Sequence, residues 1–135
     1  MHNNDKMVEV KGLKKYFEVG RNETLKAVDN VNFDIYRGET LGLVGESGCG
    51  KTTCGKTILG LYDATDGKVK FNGKDIQQFN KKEKKEFTKQ AQIIYQDPYS
   101  SLNPRMTVGD IIGEGIDVHE LYTGDKREEK IFELL

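Results

Sequence analysis

Apolar and polar residues alternate through Met7-Val8-Glu9-Val10-Lys11-Gly12-Leu13, the period-two pattern of a strand with one buried face. Val28, Val31, Phe33 and Ile35 continue a similar pattern further on. Between the two runs, Val19-Gly20-Arg21-Asn22-Glu23-Thr24 carries turn residues, so the opening reads as antiparallel strands joined by a hairpin-like loop, with Arg37-Gly38-Glu39 as a second turn. Thr40-Leu41-Gly42-Leu43-Val44 differs: it is apolar without alternation, as expected of a strand buried on both faces of a mainly parallel sheet. Ala91-Gln92-Ile93-Ile94-Tyr95 is predicted to be another buried strand, with Gln96-Asp97-Pro98 ending regular structure because proline lacks an N–H.

Helical spacing appears from Lys51 to Leu61, where Ile58, Leu59 and Leu61 cluster and Gly60 offers a stop. Lys68-Val69-Lys70-Phe71-Asn72-Gly73-Lys74-Asp75-Ile76 returns to strand alternation around an Asn-Gly turn. The run from Lys81 to Lys89 mixes five lysines with Glu83 and Glu86, which suits a solvated helix face. From Thr107 onward Val108, Ile111, Ile112 and Ile116 recur at helical spacing, and Ile131, Phe132, Leu134 and Leu135 form a second apolar stripe. That stripe runs to the last residue with no polar cap, which predicts an incomplete helical segment and a truncated chain.

Composition narrows the classes. A chain of 135 residues can bury one core. Its 21 basic and 22 acidic residues nearly cancel, leaving no basic face that would announce a nucleic-acid partner. The apolar runs are strand-sized, far short of the roughly 20 residues a membrane-spanning helix needs. The start has no apolar signal region, so a cytoplasmic address is expected. A disulfide between Cys49 and Cys54, five positions apart around a glycine-rich loop, would distort that loop, so both read as free thiols with small buried packing as their ordinary role.

Candidate chemistry centres on Gly45-Glu46-Ser47-Gly48-Cys49-Gly50-Lys51-Thr52, a G-x-x-x-x-G-K-[ST] phosphate loop lying between a predicted strand and a predicted helix. Glycines let the backbone turn successive N–H groups inward around phosphate oxygens. The helix N-terminus adds its positive dipole end, Lys51 can bridge the β and γ phosphates, and the Thr52 hydroxyl can meet Mg2+. The motif alone leaves transport ATPases, GTPases and small-molecule kinases open. Asn80-Lys81-Lys82-Glu83 lacks the aspartate of a guanine-reading N-K-x-D, and no lid-like arginine cluster is present.

The wider context is more specific. Gly38 through Thr53, then Gly67 through Ile76, closely resemble the ATP-binding subunits of ABC transporters. Tyr95-Gln96-Asp97-Pro98-Tyr99-Ser100-Ser101-Leu102-Asn103-Pro104-Arg105-Met106-Thr107-Val108 is similar to the oligopeptide and dipeptide importer branch, and the resemblance covers essentially residues 7–135. It implies an α/β fold of the P-loop NTPase, ABC nucleotide-binding type, incomplete here, with an N-terminal antiparallel β subdomain. The nucleotide-binding core would occupy residues 1–106 and the beginning of a helical subdomain residues 107–135. It also implies ATP and Mg2+ as cofactors, bound by Gly45, Glu46, Ser47, Gly48, Cys49, Gly50, Lys51, Thr52 and Thr53. Gln96 becomes the glutamine that contacts the metal or the attacking water, so Lys51 and Gln96 are the catalytic candidates and Thr52 and Gln96 the metal ligands. An aromatic residue of the first strand region would stack on adenine: Phe17, with adjacent Tyr16 as the other candidate.

The implied partners are a second ATP-binding cassette and transmembrane permease subunits at the inner face of the cell membrane, with peptide as cargo and nickel as the alternative. No LSGGQ-type signature, no apolar strand ending in Asp-Glu and no switch histidine are present; His2 and His119 fit neither role. The chain is therefore expected to bind MgATP without efficient hydrolysis, either as a piece of a transport ATPase or as a non-catalytic nucleotide-binding module.

Overall fold

The computed structural model describes residues 5–135, so His2 lies outside the described residues. Two long strands dominate the first half: β1 (Lys6–Gly20) and β2 (Glu23–Tyr36) form an antiparallel hairpin whose tip falls at Arg21 and Asn22. β3 (Asp66–Phe71) pairs with the other edge of β1, and β4 (Lys74–Asp75) pairs with β3, giving an antiparallel sheet in the order β2-β1-β3-β4. The Asn-Gly turn between β3 and β4 is as predicted, with Asn72 at φ 48° and Gly73 at φ 81°, the left-handed pair that matches the twist of a tight hairpin.

The alternation read in the sequence becomes the core. Val10 lies opposite Phe33 on one side and Val69 on the other. Val8, Val10, Leu13, Val28 and Val69 are all buried. Helix α1 (Lys51–Ile58) lies against β1 and β2 and contributes buried Cys54 and Thr57. The buried Thr57 hydroxyl is satisfied by donating to the Thr53 carbonyl at 2.7 Å.

The chain forms two compact units, one ending at Lys84 and the other running from Lys85 to Leu135. Helix α2 (Lys81–Gln90) opens with a reciprocal cap: the Asn80 side chain accepts from the Glu83 N–H, and Glu83 accepts from the Asn80 N–H, each at 3.0 Å. Its lysine-rich surface is exposed and only Phe87 is buried, as the charge pattern predicts. The second unit contains α3 (Pro98–Ser101), α4 (Val108–Val118) and α5 (Asp125–Leu134). Ile116 and Ile131 are its buried apolar anchors, and Arg127 grips Asp117 with two bonds of 2.6 and 2.7 Å. His119 ends α4 as a half-buried cap residue.

Three expectations need correction. Residues 40–44 and 91–95 are not strands, and the sheet that does form is antiparallel throughout. A strand is maintained by hydrogen-bonded neighbours, and neither run belongs to the four-stranded sheet; Val44 is 90% exposed and Ile94 98%. Pro98 does not end regular structure but begins a single helical turn. Asp97 caps that turn, accepting from the Tyr99 N–H at 3.0 Å and the Ser100 N–H at 3.3 Å.

Candidate functional site

Helix α1 begins at Lys51, directly after the glycine-rich loop, so the four N–H groups that no helical carbonyl can accept from open onto that loop. Gly50 is the N-cap, with φ 95° and ψ 5°. A β-carbon there would collide with the Ala27 carbonyl of β2, so glycine is required both for the dihedral and for the close approach. No acidic residue occupies the first turn, which leaves the positive end of the helix dipole uncompensated.

Lys51 folds back over the loop. Its ammonium donates to the Gly45 carbonyl at 2.7 Å and the Glu46 carbonyl at 2.6 Å, and lies 3.6 Å from the Cys49 sulfur. A lysine anchored to these uncharged groups exchanges them for phosphate oxygens at an energetic advantage, because bonds between two charged groups are the stronger. Thr52 and Thr53 follow in the first turn of the same helix, Thr52 exposed and Thr53 half-buried. Cys54 is buried at 4% exposure, and burial pushes its thiol pKa up; Cys49 is exposed, and both thiols are free. Both cysteines are free thiols as expected, and only Cys54 takes the ordinary buried packing role.

Beside the loop lies an open cleft of about 350 Å3 lined by Lys26, Ala27 and Asp29 of β2 together with Cys49, Gly50 and Lys51. The two aromatic candidates have separate surroundings. Tyr16 pairs across the hairpin with Lys26, whose ammonium lies 5.4 Å from the ring centre, and its hydroxyl donates to Asp29 at 2.5 Å. That bond to a carboxylate, ahead of burial, raises the Tyr16 pKa. Phe17 instead meets Tyr62 edge to face, with ring centres 5.6 Å apart and planes at 86°. Gln96 is exposed in the second unit, in an irregular stretch immediately before the Asp97 cap.

The first unit therefore brings together the phosphate loop, Lys51 and Thr52, and carries Tyr16 and Phe17 on its β1 strand. Lys26, Asp29 and Tyr62 were not anticipated. Only the cross-strand register, with Tyr16 opposite Lys26, reveals the first two, and Tyr62 lies in a loop with no periodic pattern.

A glycine-rich loop feeding a helix N-terminus with a lysine at its first position defines a phosphate-binding protein of the P-loop class. Residues 28–135 match the ABC transporter family, and the chain belongs to that family. It is 55% identical over 133 residues to the oligopeptide transport ATP-binding protein OppF of Bacillus subtilis, covering 97% of this chain and 43% of that protein. It is 49% identical over 133 residues to the dipeptide transport ATP-binding protein DppF of Lactococcus lactis, covering 96% of this chain and again 43% of the relative. The chain thus spans less than half the length of these curated relatives. A solved dimeric ATP-binding cassette in a post-hydrolysis state, bound to ADP and Pi, superposes with a TM-score of 0.75 at 26% identity, covering 94% of this chain and 55% of its own.

Proposed function

We propose that this chain is the nucleotide grip of an ATP-binding subunit that energises oligopeptide or dipeptide import. The observation that carries the reading is Lys51, held 2.7 and 2.6 Å from two loop carbonyls at the head of α1, where an incoming triphosphate would replace them. The names of relatives at 55% and 49% identity support peptide as the cargo class. Residues 45–53 supply backbone N–H groups and the Lys51 charge to the phosphates, and Phe17, with Tyr16 as the other candidate, takes the base.

Mg2+ suits the residues present. Among the described residues no group of three or more His, Cys, Asp or Glu is placed to hold a metal unaided. Magnesium typically keeps several waters and takes few protein ligands besides phosphate oxygens, so Thr52 in the first turn and Gln96 are the oxygens assigned to it. When bound, the ion neutralises phosphate charge. Gln96 is assigned to orient the attacking water in the complete catalytic assembly, and a second cassette and the permease subunits at the inner membrane face are the assigned partners. Among the described residues no helix is long and apolar enough to cross a membrane.

The 135 residues contain neither an LSGGQ-type signature nor an apolar strand ending in Asp-Glu. Phosphoryl transfer depends on such groups to position water and stabilise charge, so the chain binds MgATP without efficient turnover. Calorimetric titration with MgATP and MgGTP, followed by a phosphate-release assay on the same sample, tests this. ATP binding without release is expected; robust release overturns the non-catalytic assignment, and absence of binding overturns the grip. Lys51→Ala removes a charged donor worth roughly 1.5–3 kcal/mol, so its ATP affinity should fall about ten- to a hundredfold.

A further inference from the structure

We infer that Tyr62 is a positioning residue for base recognition, holding the Phe17 ring so that one face stays open to the nucleobase. This rests on the reading that Phe17 stacks on the base. The two rings meet at 5.6 Å and 86°, an edge-to-face geometry that fixes the orientation of each against the other. The Lys15 ammonium lies 4.9 Å from the centre of the Phe17 ring and 5.8 Å from that of Tyr62. A ring has two faces; Lys15 lies over one of them, and the inference assigns the base to the other.

The loop that carries Tyr62 is tied to the same stretch of β1. Thr65 donates its N–H to the Lys14 carbonyl at 2.8 Å, and the Tyr16 N–H donates to the Thr65 hydroxyl at 2.9 Å. Lys14 also pairs with Asp66 at 2.9 Å. At its other end the loop continues the turn that closes α1, where Leu61 and Tyr62 donate to the Lys56 carbonyl at 2.9 and 3.3 Å; the Lys56 ammonium lies 5.6 Å from the centre of the Tyr62 ring. One helix thus begins at Lys51 in the phosphate loop and ends in the turn that leads to Tyr62. Phosphate and base recognition are linked through α1, yet Tyr62 bears on the base alone.

The test compares the chain with Tyr62→Leu, Tyr62→Phe and Phe17→Leu by calorimetry against MgATP and against magnesium tripolyphosphate, which has no base, with thermal melts of each. Tyr62→Leu should weaken ATP about two- to tenfold, the range expected for losing an aromatic pair, and leave tripolyphosphate unchanged. Tyr62→Phe, which keeps the ring, should retain the ATP preference. If Tyr62→Leu keeps the ATP-to-tripolyphosphate ratio while Phe17→Leu loses it, base stacking stands and the role of Tyr62 is overturned. If Phe17→Leu also keeps the ratio, the base-stacking assignment itself falls. Equal loss of both ligands in Tyr62→Leu makes Tyr62 merely structural and likewise overturns the inference.

Discussion

At the scale of single residues, the two cysteines separate by environment although they are only five positions apart. Cys49 is exposed within the phosphate loop, with its sulfur 3.6 Å from the Lys51 ammonium. Cys54 faces the core on α1, and its thiol pKa is pushed up by burial. The thiolate is the reactive form, so burial protects Cys54 twice, by access and by protonation. Brief treatment with a maleimide should therefore label Cys49 and spare Cys54, as read by peptide mass spectrometry. Bulk at Cys49 would stand where phosphate enters, so MgATP should slow the labelling several-fold. Equal labelling of both thiols would contradict the packing of α1.

At the scale of elements, the second unit is fastened by charged caps and pairs whose carboxylates favour ionisation. The α4 N-terminus is a capping box: the Thr107 side chain accepts from the Asp110 N–H at 3.2 Å, and Asp110 accepts from the Thr107 N–H at 3.2 Å and from its hydroxyl at 2.6 Å. Those bonds from Thr107 hold the Asp110 pKa down, and the Arg127 guanidinium does the same for Asp117. A carboxyl whose folded pKa lies below its unfolded value contributes stability that is present above the unfolded value and lost as pH falls through the folded one. Helical circular dichroism of the chain should therefore hold steady down to about pH 5 and decline below about pH 4. Asp117→Asn should shrink that acid-dependent loss, because it removes one of the titrating groups.

Elements also differ in how far the sequence disclosed them. The β1–β2 hairpin, the Asn72-Gly73 turn and helices α2 and α4 rest on contacts between near neighbours, and each left a local mark in residue type or spacing. The phosphate loop was legible for the same reason: eight consecutive residues carry it. Residues 40–44 and 91–95 were misread because apolar composition states only a preference for burial, whereas a strand requires ladder partners elsewhere in the chain. Tyr62 left no mark, since its contact with Phe17 joins residues 45 positions apart through a turn with no periodicity.

At the scale of the whole molecule, exposed apolar residues in and beside these two runs dictate how the chain behaves in solution. Leu41, Leu43 and Val44 are exposed in the first unit, and Ile94, Tyr95, Tyr99 and Leu102 in the second. Apolar area left in water costs about 25 cal/mol per Å2, and covering it against a second copy recovers that cost. The near-neutral formal charge of -1 offers little electrostatic resistance to such contacts. Sedimentation velocity at increasing concentration should therefore show reversible association, weakened by Ile94→Lys, which places a charge at a site 98% exposed and so should not disturb the fold. MgATP bound at the phosphate loop stabilises the folded first unit by mass action. Saturating MgATP should thus raise the melting temperature by several degrees, and an unchanged melt would contradict nucleotide binding by the folded first unit.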